Sequence, residues 1–316
     1  ENLLKAWREF RVGKRKRKDV QKFEQNFMGN IISLHHDLAS KIYQHGGYEA
    51  FNISDPKPRN IHKATVRDRL LHHAIYRILY PFFDRKFIAD SFSCRLNQGQ
   101  HKGINRLRTF AYRESHDHTR TVWVLKCDIR KFFASISQPI LIKILREYIS
   151  DQDVIWLLRE IIGSFHSTKP DVGLPLGNLT SQLLVNIYMN KFDQFMKHHM
   201  KAKYYIRYAD DFVVLSHDKD WLDELLPKIA DFLSEHLELE LHPDKISIHT
   251  IASGVDFLGW VHFTKHRALR TTTKRRMFKR IQECKNNKAT TQSYLGLLSH
   301  GNTRKLQKLV IENQRV

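Results

Sequence analysis

The chain has 316 residues, 41% of them hydrophobic, which is enough apolar material for one large domain or for two to three small ones. Its 53 Lys and Arg outnumber its 33 Asp and Glu, so the formal charge is +20 and the pI is near 9.9. A basic surplus of this size favours nucleic acid over a membrane as partner, and the sequence has no run of about 18 apolar residues that would cross a bilayer.

The cysteines indicate a reducing compartment. Cys94, Cys127 and Cys284 lie far apart, and their spacing fits neither a zinc site nor a disulfide framework. Because the sequence also shows no signal-peptide pattern, we expect a cytoplasmic protein.

The predicted elements alternate along the chain. A short helical start leads into the basic run 14–18, which is either a solvated arm or an RNA contact. Apolar spacing then predicts helices over 66–83, 138–149, 154–162, 181–199 and 221–236, and β-rich runs over 121–127, 204–215, 246–250 and 255–263. This mixture, with neighbouring strands able to pair antiparallel, predicts an α+β fold.

The last segment of the chain is the most basic. Residues 265–316 contain 14 Lys and Arg against two acidic residues, and their apolar positions have helical spacing. They predict a small helical domain with one strongly basic face.

The pair Asp210 and Asp211 interrupts the apolar run from Tyr204 to Leu215. Aromatic and β-branched flanks predict two strands joined by a tight turn at this pair. Two carboxylates placed together between buried strands repel each other unless a cation neutralises them. Oxygen ligands from Asp favour Mg²⁺ or a similar hard ion, so the pair predicts a metal site for phosphoryl chemistry.

A third carboxylate is available at Asp128, which ends the β-rich run from Val122. Taken alone, an Asp in this position is better explained as a helix cap than as a metal ligand. Together with Asp210 and Asp211, it predicts a site for two metal ions. Such a pair activates an attacking hydroxyl and stabilises a leaving pyrophosphate in one in-line step.

The order of the motifs along the chain resembles that of the reverse transcriptases. The matching blocks are Lys57-Pro58-Arg59, Thr65 to Arg69, Asp128 with Phe132-Phe133, Gly173 to Gln182, Tyr208 to Asp211, Leu241 to Lys245, and Phe257 to Trp260. They extend over about residues 50 to 300, nearly the whole chain. The resemblance implies a right-hand polymerase with an N-terminal basic helical arm (1–50), fingers (51–120), a palm (121–264, with part of the fingers around 138–172) and a helical basic thumb (265–316).

The resemblance also implies catalytic roles. Asp128, Asp210 and the carbonyl of Ile129 would bind two Mg²⁺ ions, for which Mn²⁺ substitutes, and Asp211 would support the ion on the primer side. Lys245 would act as general acid for the departing pyrophosphate. The substrates would be dNTPs, a template RNA and a cDNA primer.

The implied substrate contacts fall in three groups. The dNTP-binding group comprises Lys57, Arg59, Phe133, Leu176, Gly177 and Gln182, with Phe133 as a steric gate against the ribose 2′-hydroxyl. The primer grip comprises Phe257, Leu258, Gly259 and Trp260, and the nucleic-acid-binding face of the thumb comprises Lys274, Arg275, Arg276, Lys279 and Arg280. The alternatives are core packing for Phe133, a solvated loop for Lys57 and a simple hairpin for 257–260.

One block departs from the broad family and indicates a subgroup. Retroviral and group II intron enzymes commonly carry Gln-Gly followed by Ser-Pro, where this chain has Leu176-Gly177 and Ser181-Gln182. The Gly-x-x-x-Ser-Gln form of this chain resembles the reverse transcriptases of diversity-generating retroelements. Those enzymes copy a template-repeat RNA with errors at adenines, and they work with a small pentameric accessory protein. The host would be a bacterium, an archaeon or a phage. The alternatives are a phage-defence or group II intron-derived reverse transcriptase and a catalytically inactive RNA-binding scaffold.

Overall fold

The computed structural model describes residues 1–54, 58–284 and 287–312. The chain forms two compact units. The first contains the described residues of 1–88 together with 129–199 and 229–241, and the second contains 89–128, 200–228 and the described residues from 242 onward.

The helices of the described residues are α1 (Asn2–Phe10), α2 (Lys18–Gln25), α3 (Phe27–Ala39), α4 (Val66–Asp84), α5 (Gln100–Glu114), α6 (Phe132–Ser135), α7 (Gln138–Arg146), α8 (Gln152–Gly163), α9 (Leu179–Gln194), α10 (Lys219–Leu237), α11 (Thr271–Glu283), α12 (Lys288–Leu298) and α13 (Arg304–Glu312). A π-helical turn, Phe195–His199, extends α9, and 3₁₀ turns cover Pro243–Lys245 and Ile251–Ser253. The strands are β1 (Tyr48–Ile53), β2 (Arg59–Ala64), β3 (Trp123–Asp128), β4 (Tyr204–Tyr208), β5 (Asp211–Ser216), β6 (Ser247–Thr250), β7 (Val255–Phe257), β8 (Trp260–His262) and β9 (Arg267–Leu269).

The first unit is mainly helical. Helix α1 packs on α4, and the Trp7 ring contacts the tilted rings of Phe10, Phe23 and Phe27 in a shared apolar core. Strands β1 and β2 form an antiparallel hairpin whose register pairs 48 with 64 and 53 with 59. The buried helix α9 begins at Leu179, within the Gly-rich segment Gly173 to Gln182 that carries predicted nucleotide contacts.

The second unit contains two antiparallel sheets. The larger has the strand order β4-β5-β3-β6, and its apolar face packs against α5. The smaller has the order β7-β8-β9, and Trp260 in β8 lies in a core built with α11, α12 and α13. The four-stranded sheet positions the predicted catalytic residues.

The predicted α+β fold is confirmed, and every predicted helix is present with shifted ends. The predicted β-rich run 255–263 is divided by a turn into β7 and β8. The sequence prediction missed β1, β2, α5 and α6, and it assigned the residues of β9 to the helical thumb. Strand β1 is exposed along nearly its whole length, so it lacks the alternation of apolar and polar residues by which a strand is recognised. Within the described residues, no helix combines the length and the apolarity that crossing a membrane requires.

Candidate active site

The ends of three strands bring the predicted carboxylates together. Asp128 is the last residue of β3 and pairs in register with Asp211, the first residue of β5. Asp210 precedes Asp211 in the two-residue turn between β4 and β5, where Ala209 has a φ of 57°. Residues directly opposite each other in an antiparallel pair point to the same face, so Asp128 and Asp211 share one face of the sheet.

The helix-cap alternative for Asp128 is wrong. Helix α6 begins only at Phe132, and Lys131 occupies its N-cap position. The carboxylate of Asp128 instead accepts a hydrogen bond from Lys245, as described below.

The carboxylate of Asp211 is buried among other negative charges at this edge. Its Oδ1 is buried and has no hydrogen-bond partner. Burial, reinforced by the charges of Asp128, Asp210 and Asp256, raises the pKa of Asp211 to about 7, although Lys126 acts in the opposite direction. The Lys126 Nζ lies 4.0 Å from Asp211 Oδ1, which is too far for a hydrogen bond.

Lys245, the predicted proton donor, lies beside Asp128. It ends the 3₁₀ turn Pro243–Lys245, and its Nζ donates to Asp128 Oδ1 at 2.7 Å. The backbone N–H of His242 donates to the carbonyl of Asp128 at 2.8 Å, which fixes this turn against the end of β3. The Lys245 side chain is 42% exposed, so it is able to reach a substrate as well as Asp128.

The sequence interpretation missed Lys126 and Asp256. Lys126 Nζ donates to the backbone carbonyl of Asp256 at 2.6 Å and thereby ties β3 to β7. Lys126 lies two residues before Asp128, and the period of two along a strand puts both on one face. The spacing of two from Asp128 could have identified Lys126 from the sequence. Its partner Asp256 lies 130 residues away, and no sequence pattern connects the two residues.

The oxygen donors at this edge are of the type that a hard divalent cation prefers. They belong to carboxylates on one face of a sheet, one of them with a buried oxygen that has no partner. Across the described residues, no three or more His, Cys, Asp and Glu side chains are arranged so that they could hold a metal ion. Among the predicted ligands, Asp128 Oδ1 accepts a hydrogen bond from the Lys245 ammonium. Ile129, whose carbonyl is another predicted ligand, has a buried side chain. The metal-ligand set therefore stays a prediction.

The predicted nucleotide contacts that the structure describes belong to the first unit. Leu176 accepts a hydrogen bond from the His62 N–H through its carbonyl at 3.0 Å, which docks the Gly-rich segment on β2. Gly177 has a φ of 109°, and a Cβ there would lie 2.7 Å from Ile61, so a side chain is not tolerated. Gly177 and Gln182 line a cavity of about 330 Å³ together with the basic side chains of Lys63 and Arg69.

The remaining nucleotide contacts differ in exposure. Phe132 is buried in the core, whereas Phe133 is only half-buried, which favours the gate over the packing interpretation. Arg59 begins β2 and is exposed. Lys57 lies outside the described residues.

The predicted primer grip is a tight hairpin between β7 and β8. Phe257 and Trp260 pair in register and are fully buried, so both side chains serve the core. Leu258 and Gly259 form the turn with φ values of 50° and 82°, and Gln100 donates to the Leu258 carbonyl at 2.6 Å. Contact with a primer would therefore involve this turn rather than the two aromatic rings.

The predicted basic face of the thumb lies on α11. Met277 and Ile281 are buried on one side of this helix. The basic side chains on the other positions are exposed at Lys274, Arg275, Lys279 and Arg280 and half-buried at Arg276. The helix thus has the amphipathic form that the sequence predicted.

Comparison with known proteins identifies the family. A family model described as "Reverse transcriptase (RNA-dependent DNA polymerase)" matches residues 54–262. The chain belongs to the reverse transcriptase family.

The chain aligns with only part of the length of its curated relatives. Protein YkfC of Escherichia coli is 26% identical over 246 residues, which is 65% of this chain and 63% of that protein. The putative COX1/OXI3 intron 1 protein of Saccharomyces cerevisiae is 28% identical over 177 residues, which is 53% of this chain and 20% of that protein. The mitochondrial nuclear intron maturase 3 of Arabidopsis thaliana is 24% identical over 231 residues, or 62% and 31% of the two chains. The chain therefore spans less than two thirds of each of these relatives.

Solved structures of telomerase share the fold. Telomerase from Candida albicans, in complex with a fragment of telomeric RNA, has a TM-score of 0.55 and 12% identity, covering 73% of this chain and 48% of that chain. Apo telomerase from Candida tropicalis has a TM-score of 0.56 and 12% identity, covering 72% and 49%. These neighbours confirm the predicted right-hand polymerase fold.

Proposed function

We propose that this chain is an RNA-directed DNA polymerase that adds dNTPs to a primer on an RNA template by two-metal nucleotidyl transfer. The observation that carries this proposal is the meeting of Asp128, Asp210 and Asp211 at one edge of the sheet, with Lys245 bonded to Asp128. A reverse transcriptase family member that retained these four residues without catalysis would keep crowded charges at the cost of stability.

The carboxylates and Lys245 have different proposed roles, metal binding and proton donation. Asp128, Asp210 and Asp211, with the carbonyl of Ile129, would hold the divalent ions that reverse transcriptases use, and we propose Mg²⁺ with Mn²⁺ as a substitute. When bound, the ions supply Lewis acidity to the attacking 3′-hydroxyl and to the pyrophosphate. Lys245, whose Nζ donates to Asp128 Oδ1, would donate its proton to the leaving pyrophosphate.

The first unit supplies residues suited to nucleotide selection. The cavity beside Gly177 and Gln182 has the basic side chains that a triphosphate or a template phosphate requires. We propose that Phe133 presents its half-buried ring as the gate against ribose. The thumb face on α11 and the formal charge of +20 serve phosphate contacts that do not depend on sequence.

Primer extension tests this function. Wild type should extend a DNA primer on an RNA template in Mg²⁺, and Asp210→Asn should lose at least about a thousandfold in rate because a metal ligand is removed. Asp231→Asn, at an exposed aspartate of α10, is the matched control and should extend normally. Equal extension by wild type and Asp210→Asn would leave an inactive RNA-binding scaffold as the better account.

We further propose that the polymerase is of the diversity-generating type, working in the bacterial, archaeal or phage-infected cytoplasm with a small pentameric accessory protein and a template-repeat RNA. Leu176 and the Ser181-Gln182 pair support this subgroup. Leu176 replaces a Gln beside the incoming nucleotide, and losing that polar contact loosens the check on base-pair geometry.

A fidelity measurement tests the subgroup. Leu176→Gln should lower misincorporation opposite template adenine several-fold, because a polar contact is restored. Leu174→Met, a buried apolar exchange in the same segment, is the control. Unchanged errors in Leu176→Gln would favour the second candidate, an intron-type reverse transcriptase, to which the names of the yeast and plant relatives point.

A further inference from the structure

A second polar cavity lies in the second unit, at the end of the β8–β9 hairpin away from the Leu258-Gly259 turn. It has a volume of about 210 Å³ and lies between α5, the loop joining β8 to β9, and the loop joining α12 to α13. Its polar lining consists of Arg108, His262, Thr264, Lys265, His266, Arg267, Ser299, His300 and Asn302.

The positive charge of this cavity is not compensated. Three of its lining residues are the cations Arg108, Lys265 and Arg267, and none of its lining residues among those described is acidic. No ion pair with a carboxylate is formed by these three side chains within the described part of the chain. Burial and the charge of Arg108 both lower the pKa of Arg267, as expected of two guanidinium groups held near each other without a counter-charge.

Neutral contacts hold the wall of the cavity in place. Arg267 donates from Nε to the His300 carbonyl and from Nη1 to Asn105 Oδ1 at 2.9 Å. The rings of His101 and His300 stack with centroids 3.6 Å apart, and the Asn302 N–H donates to the Arg267 carbonyl at 3.1 Å. The Arg267 guanidinium is thus positioned by carbonyl and amide oxygens, which leave its charge intact.

This chemistry selects an anion. Cationic side chains surrounded by hydroxyl and amide donors match the oxygens of a phosphate group. The volume is below the range of about 300–1,000 Å³ that small-molecule sites occupy, so a single phosphate group fits better than a whole nucleotide. His262 contributes no charge, because burial lowers its pKa to about 4.

We propose that this cavity binds one backbone phosphate of the RNA that the protein carries, at a site separate from the catalytic carboxylates. The choice of RNA as the source of the phosphate rests on the proposed function. The cavity itself does not, because its charge and its fixed wall are independent of catalysis.

Binding of a fluorescent single-stranded RNA, followed by anisotropy without dNTPs or divalent ions, tests the proposal. The double variant R108Q/K265Q should bind about tenfold more weakly than wild type, and its plot of log affinity against log salt should have a slope smaller by roughly one. The matched control K102Q/R113Q removes the same two charges from exposed positions of α5 outside the cavity and should bind like wild type.

Inorganic phosphate distinguishes the two sources of this anion. At matched ionic strength, phosphate should raise the thermal unfolding midpoint of wild type and of the control but not that of R108Q/K265Q. Loss of phosphate stabilisation with unchanged RNA affinity would mean a free-phosphate site and would overturn the RNA assignment. Equal RNA affinities and salt slopes for the two double variants would overturn the proposal altogether.

Two further arms keep the outcome interpretable. If R108Q/K265Q does not fold, Lys265→Glu in the exposed loop replaces it, with Lys102→Glu as its control and the same expected difference. Primer extension by the same proteins is measured separately. A wild type that fails to extend primers but shows the RNA difference would contradict the polymerase and leave the phosphate site standing.

Discussion

The carboxylate edge of the four-stranded sheet and the cationic cavity behind the three-stranded sheet carry opposite charges within one compact unit. At the first, Asp211 has a buried oxygen without a partner, and its pKa is raised to about 7. At the second, Arg108 and Arg267 are held near each other with no acidic residue among the described lining. Both regions hold like charges close together, although Lys245 and Lys126 partly offset the negative charge of the sheet edge.

A third region shows that the chain does neutralise charge elsewhere. In the first unit Asp19 accepts from Arg69 at 2.6 Å and pairs with Lys63 at 3.0 Å. Burial alone would raise the pKa of Asp19, yet the hydrogen bonds from Lys63 and Arg69 lower it to about 2. The contrast supports the proposals that the sheet edge binds a cation and that the cavity binds an anion.

The largest expected effect concerns Lys245. If it is the proton donor, Lys245→Ala should lower the single-turnover rate of nucleotide addition about a hundredfold, because general acid catalysis is lost. Primer–template affinity should change little. Lys228→Ala, at an exposed lysine of α10, is the control. A mere structural role for Lys245 would leave the pH profile of the rate unchanged, whereas a proton donor shifts its alkaline limb.

The next effect is on stability. Asp211→Asn should raise the free energy of unfolding of the metal-free protein at pH 8 by about 1–3 kcal/mol, because a buried charge is removed. A carboxyl whose folded pKa is raised destabilises the fold wherever the unfolded chain is ionised, because ionisation is harder in the folded state. The gain should therefore be constant above pH 7 and shrink as pH falls from 7 toward 3.8, so that little of it remains at about pH 4. Denaturant unfolding in EDTA at both pH values measures it, and a loss of stability at pH 8 would mean that Lys126 already neutralises Asp211.

The smallest effect concerns the wall of the cationic cavity. His262 is buried and bonded to the Phe257 carbonyl, and burial lowers its pKa to about 4. Its contribution to stability is complete above pH 6.5 and is lost as pH falls toward 4, because the unfolded chain binds the proton first. His262→Gln should reduce the pH dependence of the unfolding free energy in this window by up to about one proton. The exposed His249→Gln should not, and equal slopes for the two variants would show that His262 is not buried in solution.

The sequence predicted the carboxylate edge well because its determinants are local. The aromatic and β-branched flanks of Asp210 and Asp211 specify two strands and a turn, and the apolar run before Asp128 specifies a third strand. The pairing of Asp128 with Asp211 then follows from the fold of the whole sheet.

Other features depend on contacts between distant segments and were not predictable. The β1–β2 hairpin is mostly exposed and is joined to the Gly-rich segment by the bond from His62 to Leu176. Lys126 finds its partner at Asp256, and the cationic cavity is assembled from α5, the β8–β9 loop and the α12–α13 loop. No local pattern in the sequence predicts these contacts between distant segments.

The most direct test of the account is metal binding at the sheet edge. Mn²⁺ binding is measured by electron paramagnetic resonance on protein loaded with an RNA template, a dideoxy-terminated primer and the matching dNTP, so that no chemistry occurs. The account predicts about two bound Mn²⁺ per wild-type chain and at least tenfold weaker binding in Asp128→Asn and Asp210→Asn. The same number of ions bound with the same affinity in wild type and both variants would contradict it.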